Sequence, residues 1–303
     1  MSSGKETRMG TLSLAGKTDV GLVRKNNEDT FISRKIWDGK WCLAAVIDGI
    51  GGYEGGEVAS SIAEREICSY LEEFKSGNPG RLLAEAVNSA NNAIFEERKT
   101  SEEYSRMGCV LTAVLTDGKT LYTAHVGDTR LYLARKGRLV KLTHDHSLVG
   151  YREEIGDLSE EEAMNHPMRN IISRDLGESL HNHDDEDWIE TSCLPIHSGD
   201  ILLLCSDGLS DLVTSKEMSG ILFDGKSLAE RAGELIGKAL SKGGKDNVTV
   251  VLVERDRDDD ENEIKVETVG HKALERKNIL FVLVVSSIAA AVLFFILKVT
   301  NII

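Results

Sequence analysis

The chain has 303 residues, 41% of them hydrophobic and 28% charged, an ordinary globular balance with length enough for one large domain or two small ones. Fifty acidic against 36 basic residues leave a formal net charge of -14, which argues against a nucleic-acid partner, because phosphate backbones attract basic surfaces, and suits a protein that concentrates divalent cations. The five cysteines, Cys42, Cys68, Cys109, Cys193 and Cys205, form no CxxC pair and lie mostly inside apolar runs, so they read as reduced structural thiols.

In chain order, residues 1–10 are polar and small, without the apolar centre of a secretory signal. Trp41–Ile47 is a nearly continuous apolar run, as expected of a strand covered on both faces. Two helices follow. Val58, Ile62, Ala63, Ile67, Tyr70, Leu71 and Phe74 share one helical face, and Leu82, Leu83, Ala86, Val87, Ala90, Ile94 and Phe95 share another. Leu121–Ala134 alternates around a polar centre, and Ile201–Cys205 is a further apolar run. A third helix is predicted over about 227–241, carrying Leu228, Ala232, Leu235, Ile236 and Ala239, before the apolar run Val248–Val253. Long helices beside many strands, without a strand–helix rhythm, predict an α+β layered domain over 9–254.

Beyond it, Glu254–Glu263 reads ERDRDDDENE. A calcium loop would need glycine where Glu261 stands, so this is a solvated, self-repelling stretch opening a linker over 255–278. Ile279–Leu297 is then 19 apolar or small residues without a charge. At about 1.5 Å per residue it approaches the roughly 30 Å hydrocarbon thickness, which predicts a transmembrane anchor over 279–297. Lys272, Arg276 and Lys277 precede it and Lys298 alone follows, so the positive-inside rule places the N-terminal bulk in the cytoplasm, single-pass. Ser286, Ser287, Ala290 and Ala291 have small-xxx-small spacing, a weak signal for helix pairing.

The chemistry-bearing segments share one device. In AAVIDGIGGYEGGE (44–57) a buried strand delivers Asp48 into a glycine-rich turn, and Glu54 occupies the position where a nucleotide-binding GxGxxG needs its third glycine. CSDGLSD (205–211) delivers Asp207, GGKDNVTVVLV (243–253) presents Asp246 and Asn247 just before a strand, and AHVGDTRLYL (124–133) places Asp128 in a turn. A single DG or GD is a common turn. Four such aspartates form a pattern, and hard ions such as Mg²⁺ or Mn²⁺ are the natural partners of clustered carboxylates. No GxSxG elbow supports a serine triad.

These stretches, together with GLVRKNNED (21–29), LTHDHSLV (142–149), NIISRDLG (170–177) and GDILLLCSDGLSDLV (199–213), run in the order of the bacterial PPM family of metal-dependent Ser/Thr protein phosphatases, the protein phosphatase 2C type, which the chain resembles over about 240 residues. The resemblance implies a four-layer αββα sandwich of two antiparallel sheets flanked by helices, to which the anchor adds one C-terminal transmembrane helix. It implies two Mn²⁺ or Mg²⁺ ions that activate a water, with a third, weaker ion. Asp48 would bridge the two ions with help from the Gly49 carbonyl, and Asp207 and Asp246 would hold the second. Glu28, with Asp29, would orient bound waters, Asp128 with Asp207 would support the third ion, and Arg24 would grip the substrate phosphate through its planar fork. Asp48, Asp207, Asp246 and Arg24 are thus the expected catalytic set. The implied substrates are phosphoproteins made by a Ser/Thr kinase.

Some family members carry a histidine, a general acid, where this chain has Ile50. His144 and His146 are expected to be structural, and His181 and His183 to sit in a solvated loop. Residues 147–170 resemble the family's mobile flap, with Ser159 and Glu162 as a capping box. Two other classes stay open: a catalytically dead phosphoprotein scaffold, which the intact aspartates disfavour, and a regulatory phosphatase releasing a partner-switching factor, which usually carries a sensor domain.

Overall fold

The computed structural model describes residues 12–256, apart from 52–54, 183–184 and 186–187. Among these residues lie ten strands: β1 (Leu12–Asp19), β2 (Thr30–Ile36), β3 (Trp41–Ile50), β4 (Gly108–Thr116), β5 (Thr120–Val126), β6 (Arg130–Arg135), β7 (Arg138–Lys141), β8 (Glu190–Pro195), β9 (Ile201–Cys205) and β10 (Val248–Arg255). The helices are α1 (Gly55–Glu73), α2 (Pro79–Glu97), α3 (Leu148–Glu154), α4 (Glu160–Met164), α5 (Asp207–Ser210), α6 (Ser215–Leu222) and α7 (Leu228–Ser241). The strands form two antiparallel sheets, ordered β1-β10-β9-β6-β7 and β2-β3-β4-β5-β8.

The apolar runs in the sequence become intelligible through the two-residue period of a strand. On β3, Leu43, Ala45 and Ile47 pack against α1 and α2, while Cys42, Ala44 and Val46 face the other sheet. On β9, Ile201, Leu203 and Cys205 pack toward α6 and α7, while Leu202 and Leu204 face inward; β10 divides Val248, Val250 and Leu252 from Val251 and Val253 in the same way. A strand buried on both faces needs no polar alternation. The result is helices, sheet, sheet and helices with three apolar cores between them, and burying each Leu- or Ile-sized side chain contributes about 1.5–3 kcal/mol.

Helix ends follow local rules. Asn78 caps α2 ahead of Pro79, and Ser159–Glu162, Thr214–Glu217 and Ser227–Glu230 each form a complete capping box. The expected run Leu121–Ala134 divides: β5 belongs to one sheet and β6 to the other, with Gly127–Thr129 carrying the chain across. β10 extends to Arg255, opposite Leu12, one residue further than the domain boundary predicted from sequence. Cys42, Cys68, Cys109 and Cys205 are buried free thiols and Cys193 is an exposed one. His181 is less solvated than expected, since its ring stacks on Trp188 at 4.1 Å; His183 lies outside the described residues. So does the anchor segment 279–297; among the described residues no helix is long and apolar enough to cross a membrane.

Candidate metal centre

The strand period that builds the inter-sheet core also builds the site. Following the inward-facing positions toward one end of the sandwich, Val46 gives way to Asp48, Phe31 to Asp29, Leu204 to Ser206, and Val251 to Thr249 and Asn247. At that same end the chain crosses between sheets from β1 to β2 and from β5 to β6. The first crossing carries Arg24 and Glu28, and the second carries Asp128.

There Arg24, Glu28, Asp48, Gly49, Ile50, Gly51, Asp128, Asp207, Asp246 and Asn247 line a cleft of about 290 Å³, closed on one side by Val110, Asn170 and Ile172. Every site residue expected from the sequence lines this cleft except Asp29. That carboxylate is buried behind it, accepting from Ser206 Oγ at 2.8 Å and Thr249 Oγ1 at 2.7 Å. Burial pushes Asp29 up to about 6, against the pull of those two hydroxyls. Burial, then the neighbouring carboxylates Asp29 and Asp207, raise Asp48 well above the usual range. Burial, Asp128 and Asp211 do the same to Asp207, and Asp128 rises to about 7 through burial, Asp145 and Asp211. Burial also raises Glu28.

So many crowded, at least partly buried carboxylates with raised protonation constants are a donor set for hard divalent cations, which reverse this repulsion. Among the described residues no three of these carboxylates bring ligand oxygens within 4.8 Å of one another, so donor chemistry rather than a preset coordination geometry marks the centre. Arg24 is half exposed, and its Nη2 donates to Asp246 Oδ2 at 2.7 Å. That bond, ahead of the cost of burial, raises the guanidinium further. No histidine lines the cleft among the described residues, consistent with Ile50 in its wall.

Asn247 carries more than the sequence suggested. Its Oδ1 accepts from Glu28 N at 2.8 Å, and its Nδ2 donates to Val20 O and Asn26 O, both at 2.9 Å, so one buried amide fastens the whole loop bearing Arg24 and Glu28. Its place in the DN pair before β10 was the available signal. Glycine is required at Gly208, where a Cβ would meet Asn247 O at 1.9 Å, and at Gly49, where it would meet Gly56 O at 2.2 Å. The flap residues are tied down: Arg169 Nε donates to Asp211 Oδ2 at 2.5 Å, and Glu160 accepts from Ser215 N and Oγ, both at 2.7 Å.

Residues 23–241 match the family Protein phosphatase 2C. The chain belongs to that family. It is 36% identical over 245 residues to Serine/threonine phosphatase stp of Listeria welshimeri, covering 79% of this chain and 94% of that protein. It is 38% identical over 243 residues to Serine/threonine protein phosphatase PstP of Mycobacterium tuberculosis, covering 80% of this chain and 45% of that longer protein. The crystal structure of Mycobacterium tuberculosis PstP/Ppp superposes with a TM-score of 0.71 at 35% identity, over 81% of this chain and 99% of the other. A second structure, the catalytic domain of PstP in complex with two manganese ions, does so with a TM-score of 0.69, over 80% and 97%. As a family member the chain is a protein serine/threonine phosphatase, a phosphoric monoester hydrolase.

Proposed function

We propose that the chain hydrolyses phosphoserine and phosphothreonine in proteins with two Mn²⁺ or Mg²⁺ ions held in the acidic cleft. The observation that carries this reading is the gathering of Asp48, Asp207, Asp246, Asp128 and Glu28, from five separate chain segments, around one cleft with Arg24 at its side. Asp48, with the Gly49 carbonyl, would hold both ions between the sheets, and Asp207 and Asp246 would complete the second position. Asp128 would serve a third. When bound, such ions supply a hydroxide nucleophile near neutral pH and neutralise developing charge. Arg24 orients the phosphate by paired hydrogen bonds, for which it partly exchanges Asp246 as its partner. Glu28, which lines the cleft, orders bound water there, with Asp29 buried behind it, while Asn170 and Ile172 form part of the wall.

The full-length protein should hydrolyse p-nitrophenyl phosphate and a phosphothreonine peptide with Mn²⁺ and lose both activities in excess EDTA. Retained activity in EDTA would remove the metal from the mechanism. The anchor reading belongs to the same proposal: Ile279–Leu297 would tether the enzyme to the cytoplasmic face of a membrane, where kinase products are its substrates. Release of the full-length chain from membranes by alkaline carbonate would refute that tether.

A further inference from the structure

Behind the cleft, and outside the residues expected to act on phosphate, lies a cluster of His125, His146 and Glu190 whose ring nitrogens and carboxylate oxygen fall within 4.8 Å of one another. Two imidazoles and a carboxylate suggest a transition-metal site, but the hydrogen bonds argue otherwise. His125 has both nitrogens engaged: Nδ1 with Thr112 Oγ1 at 2.9 Å, and Nε2 with His144 O at 3.1 Å. Because that carbonyl can only accept, Nε2 carries the proton. His146 Nδ1 accepts from Gly127 N at 3.0 Å, which leaves the proton on Nε2, facing Glu190 Oε2 at 3.7 Å. Neither ring offers a lone pair toward the carboxylate.

These bonds converge on the turn that carries Asp128. Gly127 sits at φ +107°, where a Cβ would meet Val110 at 2.1 Å, so the turn has one tolerated backbone shape. His146 takes both polar groups of this glycine, accepting its N–H through Nδ1 and donating its own N–H to the Gly127 carbonyl at 2.7 Å. On the far side of Asp128, Thr129 Oγ1 bonds Thr112 Oγ1 at 2.8 Å, and Thr112 is the partner of His125. The His146 carbonyl in turn receives Ser173 N at 2.7 Å and Ser173 Oγ at 2.9 Å, next in the chain to Ile172 of the cleft wall.

We propose that His146 is a positioning residue for Asp128: its Nδ1 acts as a fixed acceptor that sets the Gly127–Asp128 turn and so tunes how the cleft holds its weaker divalent ion. The inference rests on the phosphatase reading of the cleft. It predicts an order of substitutions that packing alone would not produce. Asn places an amide oxygen where Nδ1 stands and can accept from Gly127 N–H; Gln places its amide nearer the Nε2 position; Leu fills the volume with no acceptor.

The test uses the full-length chain and two readouts, the Mn²⁺ concentration for half-maximal hydrolysis of p-nitrophenyl phosphate and the Mn²⁺-induced shift in melting temperature. His146→Asn should stay near wild type, whereas His146→Gln and His146→Leu should need at least about 10-fold more Mn²⁺ and show a smaller shift, the size typical of groups that orient a ligand. In an Asp128→Asn background the three substitutions should cause no further change. If His146→Leu does not fold, the contrast between Asn and Gln decides alone. Equal behaviour of Asn and Gln, or a Leu variant that matches wild type, overturns the positioning role. A wild-type chain without Mn²⁺-dependent hydrolysis would instead overturn the phosphatase reading, so the two failures are distinct.

Discussion

In the cleft, Asp48, Asp128 and Asp207 are partly buried with one sign of charge, and Arg24, half exposed, bonds to Asp246. One layer back, the buried Arg130 donates to Asp145 at 2.6 Å and to Glu153 at 3.1 Å, and Lys141 adds a bond to Asp145 at 3.2 Å. Burial alone would raise Asp145, yet Arg130 and Lys141 hold it below the usual carboxylate range. The contrast separates two uses of buried charge. The rear network is satisfied by its own chain and braces the flap helix α3 through Glu153, whereas the front cluster is a site of stored repulsion that a divalent cation relieves.

The largest expected break of this contrast is Asp207→Asn. Hydrolysis should fall about 10,000-fold, some 5 kcal/mol of barrier, while the melting temperature measured in EDTA rises because one repelling charge is gone. A lower melting temperature in EDTA would show the cluster to be self-satisfied after all. In the rear network the sign reverses: Arg130→Met takes the guanidinium from the buried Asp145 and leaves it only the Lys141 ammonium at 3.2 Å among the described residues, and chemical denaturation should report a loss of about 3 kcal/mol.

Acid and base sharpen the comparison further. Burial, then His146, lowers His125 to about 4, so the unfolded chain binds the proton more tightly, and stability is lost as pH falls from about 6.5 to about 4, by about 3 kcal/mol. Asp128, raised to about 7, has the opposite sign: without divalent ions the folded chain binds the proton more tightly, and stability is lost as pH rises from about 4 to about 7. Melting curves in EDTA and in Mn²⁺ across this range should differ mainly on the alkaline side; parallel curves would contradict the assignment. The smallest effect expected is at Asn247→Ala, where three bonds to the 20–28 loop are lost. A drop of about 1–3 kcal/mol is expected, together with a higher KM for phosphopeptide.

Much of this was legible in the sequence, because strand ends punctuated by Asp-Gly announce themselves locally. Asp48, Asp128, Asp207 and Asp246 needed only a rigid strand or turn beside each. What stayed hidden depended on partners distant in the chain. β4 reads as GCVLTAVLT without period because both its faces are covered, and Leu121–Ala134 looks continuous although its two halves serve different sheets. Asp29 could not be told from Glu28 until Ser206 and Thr249 were seen to enclose it. The bond between His146 and Gly127 spans 19 positions and has no local signature.

The inter-sheet core has one more consequence. Asp48 rides on one sheet, while Asp207 just follows β9 and Asp246 just precedes β10 of the other, so the gap between the sheets acts as a caliper on the cleft. Small residues set that gap on one jaw, Cys42, Ala44 and Val46, against Leu202, Leu204, Val251 and Val253 on the other. A methyl added at Ala44, remote from any phosphate, would open the caliper and register as weaker cation affinity before it registered as unfolding.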